Sequence, residues 1–312
     1  MIQVILAGGM GNQMFEYAFA VQVQQQNPAE TICINPAFLH YRRDKRSNSL
    51  CHLKLMDSVV MMKGGGAHVR FFAFLARLPY LFGVKNVIDK IKKRFRDDAR
   101  HQQRRVKRGF YHTCGIYEYV PPVPSEKKRK YIYGYFQNVQ TVSNIESILK
   151  QQFEIITPPS EQNKKMLEEI RSSNAVCLHV RRGDYLEERF RQLQVCNYAY
   201  YTEAIKRAKT TLEGPRFFVF STGHNDIEWI KNNYMFDADI TYVDLDNPDY
   251  EELRLMRACR HFIISNSTFS WWAAFLGDAH DKKVWAPEFW LQQSDVNMHL
   301  PTWEKVPCQN GK

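Results

Sequence analysis

The sequence predicts an α/β protein with parallel sheets in two units of ordinary domain size. Three observations carry that prediction. The chain opens on a short apolar run, Ile2-Gln-Val-Ile-Leu6, then passes through glycines into Met14, Phe15, Ala18, Phe19 and Val21 at helical spacing. Its second half alternates short β-branched or aromatic runs with amphipathic segments of helical length, the pattern of a parallel sheet covered on both faces. At 312 residues, with 44% hydrophobic and 24% charged residues, the chain has room for two cores. Pro158-Pro159 breaks the pattern, so the units are placed at 1–157 and 158–312 with a cleft between them.

In the first unit, strand 2–6 leads through Gly8-Gly-Met-Gly11 into a helix. The turn is not a G-x-G-x-x-G fingerprint, but its glycines permit close backbone approach, and the helix start points free N–H groups outward. Asn12 and Gln13 are expected to project into the same space. Residues 31–34 read as a second strand and Lys130–Phe136 as a later one. Helix 144–153 carries Ile145, Ile148, Leu149 and Phe153 on one face, with Ser143 and Glu146 spaced as a capping box.

Between strands two and three lies an irregular stretch with a basic insertion at about 64–108. Lys85 to Arg108 holds eleven Lys and Arg against Asp89, Asp97 and Asp98, which leaves +8 of the formal charge of +10. The preceding Phe71–Phe82 is apolar but broken by Arg77 and Pro79, well short of the roughly 20 residues that span a bilayer. An apolar stretch followed by basic residues suits an anionic membrane surface, contacted through 71–108. A solvated basic helix is the alternative, and no nucleic-acid-binding motif accompanies it. Seven scattered cysteines without a C-x-x-C pair fit neither a disulfide framework nor a zinc site, and point to a reduced, cytoplasmic compartment. The first residues read as a strand and not as a signal peptide.

The second unit predicts helix 161–171, strand 175–180, helix 198–213 ended by Gly214-Pro215, strand 216–221 and helix 226–233. Strand 240–243, a helix opened by Pro248, strand 261–265, helix 268–276 and a short strand at Val284-Trp285 complete it. The chemistry gathers where two of these strands end. Strand 175–180 stops at His179-Val180 and runs into Arg181-Arg182-Gly183-Asp184. Paired guanidiniums at a strand end need an anion, and arginine forks match phosphate oxygens. Ser265-Asn-Ser-Thr-Phe-Ser-Trp-Trp272 places hydroxyls at a helix start, which also suits phosphate. The plainer reading makes Ser267 or Thr268 a cap and the aromatics core. Both turns follow strands of one sheet and so face one edge, where cations and a helix N-terminus describe a diphosphate site. Asp244-Leu-Asp246 is the D-x-D of the chain and reads more simply as a turn, so no metal is assigned.

Three motifs together, Gly8-Gly-Met-Gly-Asn-Gln-Met-Phe-Glu-Tyr-Ala18, His179-Val-Arg-Arg-Gly-Asp-Tyr185 and Ser265–Trp272, resemble the bacterial α1,2-fucosyltransferases of glycosyltransferase family 11. Tyr133-Gly-Tyr-Phe-Gln137, Phe218-Val-Phe-Ser221 and Asp226-Ile-Glu-Trp229 resemble intermediate blocks. The resemblance implies a GT-B-like fold of two Rossmann-like domains facing across a cleft, with the acceptor side first and the GDP-fucose side second. It implies transfer of L-fucose from GDP-β-L-fucose to the 2-hydroxyl of a terminal β-galactoside in a surface oligosaccharide or glycolipid, with inversion and without a required metal or other cofactor. Arg181 would hold the β-phosphate, with His179 and Arg182 supporting the nucleotide. Ser267, Thr268 and Phe269 would contact phosphate and guanosine, and Asn12 would face the reacting centre. Asp184 is the first candidate for the base at the acceptor hydroxyl, with Glu187 or Glu188 behind it. The expected enzyme is cytoplasmic and peripheral on the inner membrane face, with no nucleic-acid partner. Two alternatives stand beside it: a fucosyltransferase of another linkage, and a non-catalytic basic protein that binds membrane or nucleic acid.

Overall fold

The computed structural model describes residues 1–41, 46–62, 99–113 and 116–309. The glycine triplet at 64–66, the apolar stretch 71–82 and residues 85–98 of the basic run lie outside the described residues. The chain divides into two compact units, Met1–Glu154 and Ile155–Lys312. The division falls ahead of the proline pair because Phe153 is fully buried in the first core and the Glu154 carbonyl accepts from the Lys54 amide at 2.8 Å. The Thr157 carbonyl is already held by Arg254 of the second unit.

The first unit carries strands β1 (Ile2–Ile5), β2 (Ile32–Asn35), β3 (Val59–Met61), β4 (Phe110–His112) and β5 (Lys130–Tyr133). They form a parallel sheet in the order β3-β2-β1-β5-β4. Helix α1 (Met10–Gln25) is the element around which this unit packs, buried on nearly all sides. Such a helix must satisfy its polar side chains internally. Tyr17 donates to Gln152 Oε1 at 2.9 Å, Gln22 donates to the Gln140 carbonyl at 3.0 Å, and the Glu16 carboxylate accepts from the Ala7 amide at 3.0 and 3.2 Å. Helices α2 (Ala99–Lys107), α3 (Gln140–Ser143) and α4 (Glu146–Gln152) complete the unit.

Two expectations are corrected here. The capping box does not form, because Ser143 ends α3 and Ile145, which offers no side-chain bond, stands at the cap of α4. The strand read as 130–136 ends at Tyr133, where Gly134 turns the chain at φ +133°. A Cβ at Gly134 would meet the Thr113 hydroxyl at 2.1 Å, so the turn requires glycine.

The second unit contains α5 (Glu161–Arg171), β6 (Asn174–His179), α6 (Tyr198–Thr211), β7 (Pro215–Phe220), α7 (His224–Asn233) and β8 (Asp239–Tyr242). It continues with α8 (Asp249–Ala258), β9 (His261–Ile263), α9 (Thr268–Leu276), β10 (Val284–Pro287) and β11 (Glu304–Val306). The parallel sheet has the order β11-β10-β9-β6-β7-β8. Ser160 caps α5 by accepting from the Asn163 amide at 3.2 Å, and Asn197 caps α6 by accepting from the Tyr200 amide at 3.0 Å. Val176, Leu178, Phe217, Val219 and Ile263 turn one face of the sheet into a core shared with Tyr200, Tyr201 and Ala204 of α6.

Both sheets reverse their winding once, between β1 and β5 in the first and between β6 and β9 in the second. Open α/β sheets bind ligands at the carboxyl ends of the strands flanking such a reversal. Strands β6 and β9 are clipped together at both ends. His179 Nδ1 and the Ser265 hydroxyl share a hydrogen bond of 2.8 Å just past the carboxyl end of the pair, and His261 Nε2 meets Asn174 Oδ1 at 3.1 Å at the other.

Candidate active site

The second unit's reversal point brings together the two turns singled out in the sequence. Beyond β6 the chain continues through Val180 to Arg181 and Arg182, then coils through a short turn, Gly183–Leu186. Beyond β9 it runs through Ile264, Ser265 and Asn266 into α9, whose cap Ser267 accepts from the Phe269 amide at 3.3 Å. His179 is buried beneath both turns. Burial, with the positive charge of Arg181 adding to it, pushes its imidazole down to about 3, so the ring is neutral at physiological pH. It can bond Ser265 and a ligand edge, but it does not serve as a cation there.

The two arginines have different surroundings. Arg182 is packed in place: its guanidinium carbon lies 3.2 Å from the centre of the Trp229 ring, and its Nε is 3.6 Å from Asp226 Oδ1. Both partners come from α7, one turn apart, so this helix grips the second arginine through stacking and charge together. Arg181 donates from Nη1 to the Thr222 hydroxyl at 3.1 Å and lies 5.1 Å from the Tyr185 ring centre. Its backbone amide donates to the Tyr201 hydroxyl at 3.4 Å. Thr222 also lies over Gly183, which has φ +48° and would bring a Cβ to 3.2 Å from the threonine side chain. The Ser221 hydroxyl donates to the Val180 carbonyl at 2.8 Å. The turn after β7 therefore braces the arginine turn at three points.

Asn266 anchors the second turn. It is buried, and its Nδ2 donates to the Leu193 carbonyl at 2.8 Å and the Trp290 carbonyl at 2.9 Å, while its own carbonyl accepts from the Tyr185 hydroxyl at 3.1 Å. Thr268 and Phe269 are half-buried at the helix start, with the Phe269 ring centre 6.3 Å from that of His179. His179, Arg181, Arg182, Ser267, Thr268 and Phe269 thus gather at one edge of one sheet. Asp184 lies in the turn after the arginines, and its side chain is outside the described residues. Glu187 and Glu188 are exposed, and Glu188 pairs with Arg191 at 3.6 Å. Asp244 is engaged by His224 at 2.8 Å and Asp246 turns the chain at φ +48°. Among the described residues, no three His, Cys, Asp or Glu converge as a metal site.

In the first unit the reversal point joins the glycine turn to the segment after β5. Gly8 has φ +77°, and a Cβ there would stand 2.2 Å from Asn12 Nδ2. Asn12 Oδ1 accepts from Gln137 Nε2 at 2.8 Å across the reversal, so the amide is held from both sides. Gln13 corrects the sequence reading. It is fully buried, donates to the Gly8 and Ser47 carbonyls at 3.1 and 2.9 Å, and accepts from the Ser49 amide at 3.0 Å. It ties the turn to residues 47–49 and does not project toward a ligand.

Sequence reading missed the roles of Thr222, Asp226, Trp229 and Asn266. The spacing of Asp226 and Trp229 on a helix was a usable signal for a shared face. Thr222 carried none.

Two α/β units, each built on a parallel sheet with one reversal of winding, describe the GT-B glycosyltransferase fold, and a solved structure agrees. Fucosyltransferase NodZ from Bradyrhizobium superposes with a TM-score of 0.52 at 13% identity, over 87% of this chain and 91% of that one. The chain belongs to glycosyl transferase family 11, whose model matches residues 1–304. It is 28% identical to an alpha-1,2-colitosyltransferase of Escherichia coli over 96% of both chains. A human galactoside alpha-(1,2)-fucosyltransferase 1 is 32% identical over 126 residues, 38% of this chain and 33% of that protein. The protein is therefore a glycosyltransferase.

Proposed function

We propose that the chain transfers L-fucose from GDP-β-L-fucose to the 2-hydroxyl of a terminal β-galactoside of a surface oligosaccharide or glycolipid, inverting the anomeric centre. The observation that carries this reading is the meeting of Arg181 and the α9 start across the β6–β9 reversal, joined by the His179–Ser265 bond. A cation and a helix N-terminus at that spot suit a sugar nucleotide's diphosphate. The relatives' named activities, α1,2 transfer of colitose and of fucose, support the sugar class and the linkage.

In the reaction the acceptor oxygen attacks the sugar's anomeric carbon as the bond from that carbon to the β-phosphate oxygen breaks. Negative charge builds on the departing GDP, and Arg181 stabilises it more in the transition state than in the bound donor. The acceptor proton passes to a base, for which we assign Asp184. Asn12 is assigned to the sugar or acceptor. Because the arginine and helix start neutralise the phosphates, no metal or cofactor is required. The setting is cytoplasmic and peripheral to the membrane, and among the described residues no helix is long and apolar enough to cross it.

The deciding experiment incubates the protein with GDP-fucose and lactose in excess EDTA and determines the product linkage by NMR. An α-fucoside at O2 of galactose is expected. A product linked elsewhere replaces the linkage, and a requirement for added metal replaces the metal-free mechanism. A second donor reading has one specific observation behind it, the colitosyltransferase that aligns along nearly the whole chain. Colitose lacks the 3-hydroxyl of fucose, so a kcat/KM favouring GDP-colitose selects it.

Thr222 is expected to matter through Arg181. Thr222→Val keeps the side chain's shape and removes the acceptor, so kcat falls about tenfold or more while Thr222→Ser keeps most of it. Equal rates for both variants would detach Thr222 from the chemistry.

A further inference from the structure

The first unit's sheet carries a second charged surface, at the edge opposite its glycine turn. Strands β4 and β5 are adjacent and parallel, so the segments that enter them lie side by side. The segment entering β4 is the end of α2, with Arg104, Lys107 and Arg108. The segment entering β5 contributes Lys127, Lys128 and Arg129. All six side chains are exposed. Gly109 is what lets the two segments touch. It has φ +85°, and a Cβ there would stand 2.6 Å from the Arg129 carbonyl and 3.2 Å from Lys127 Cβ. The Gly109 carbonyl also accepts from the Tyr131 amide at 2.8 Å. Cations separated by about 20 positions in sequence are thus gathered on one edge.

The nearby acids do little to neutralise them. Glu30 is taken by Lys130 and the Met1 ammonium, and exposed Glu126 flanks the run. Between the cations stands apolar surface. Phe110, on an edge strand, is 42% exposed and stacks on Tyr131 with ring centres 5.3 Å apart.

We propose that this edge docks the protein on an anionic phospholipid bilayer. Guanidinium and ammonium groups match lipid phosphates, and an exposed aromatic among them suits the headgroup boundary. Phe110 already has one face covered by Tyr131, so the pair presents an apolar edge for insertion more than an open platform for base stacking. The inference stands independently of the donor and linkage proposed above. It keeps residues 104–108 of the 71–108 stretch read in the sequence and adds residues 127–129 to the membrane contact.

The test is vesicle co-sedimentation of the full chain with phosphatidylglycerol–phosphatidylethanolamine vesicles and with phosphatidylcholine vesicles. Binding to the anionic vesicles alone, released by high salt, is expected. The double variants K127E/K128E and R104E/R108E each weaken it by about tenfold or more. Phe110→Ser weakens it without changing the salt dependence. Circular dichroism and turnover on a soluble acceptor stay at wild-type values, since these residues lie at the far edge of the sheet from Asn12 and Gln137. Equal binding to both vesicle types, no binding, or unchanged binding by the charge-reversed variants overturns the proposal. So does displacement from vesicles by single-stranded poly(U) where inorganic polyphosphate of equal charge does not displace, which would identify nucleic acid as the partner.

Discussion

Replacing Arg181 with alanine is expected to lower kcat/KM for sugar transfer by about 10²–10³, the usual effect of removing one preorganised charge from a developing anion. Arg181→Lys restores part of the rate only, because a lysine supplies charge without the planar fork that grips two phosphate oxygens and without the reach to Thr222. Affinity for GDP-fucose, measured by calorimetry without acceptor, falls less than kcat, since the β-phosphate carries less charge in the bound donor than as the sugar leaves. The thermal midpoint stays near that of wild type, as the half-buried side chain is not part of the apolar core. Wild-type turnover in the folded variant would remove Arg181 from the phosphate role and leave the reversal point without its principal cation.

The second large effect concerns stability. Asn266→Ala is expected to destabilise the protein by about 3–5 kcal/mol in denaturant unfolding. The substitution leaves the Leu193 and Trp290 carbonyls without the donor that the buried Nδ2 gives them. Each buried group that loses its partner costs about 1–3 kcal/mol. Asn266→Asp does not rescue the variant, because a carboxylate cannot donate to either carbonyl. A loss below about 1 kcal/mol would mean that water replaces the amide without strain.

These two residues also mark what the sequence could and could not reveal. The place of Arg181 just past a buried strand was legible because an apolar run bounded by turn and charged residues marks a strand. The alternation of strands and helices in the second unit was legible for the same reason, with helix 161–171 and helix 268–276 found at their observed limits. Asn266 and Gln13 were not legible. Gln13 stands in the first turn of α1 and Asn266 in the turn before α9, both beside ligand-suited residues, but their amides bond to chain segments 24 to 73 positions away. Local pattern carries no trace of such partners. The strands β3, β4 and β11 escaped notice because each has three residues, too few for a two-residue alternation to register. Ser143 failed as a cap because Gln140 had already started a helix that ends on it.

The clips that join β6 to β9 have a metric consequence. With His179 tied to Ser265 at one end and Asn174 to His261 at the other, the two strands cannot slip past one another. A shift by one residue would move Arg181 by about 3.3 Å along the ladder and turn it to the opposite face. The separation between the cation and the α9 start is therefore a ruler cut into the sheet, graduated by peptide repeats and indifferent to what the surrounding loops contain. Such a ruler suits a part of the donor that never varies, the linked phosphates. The rest of the donor is not held to that ruler, and relatives named for colitose and for fucose transfer are what such a scaffold allows.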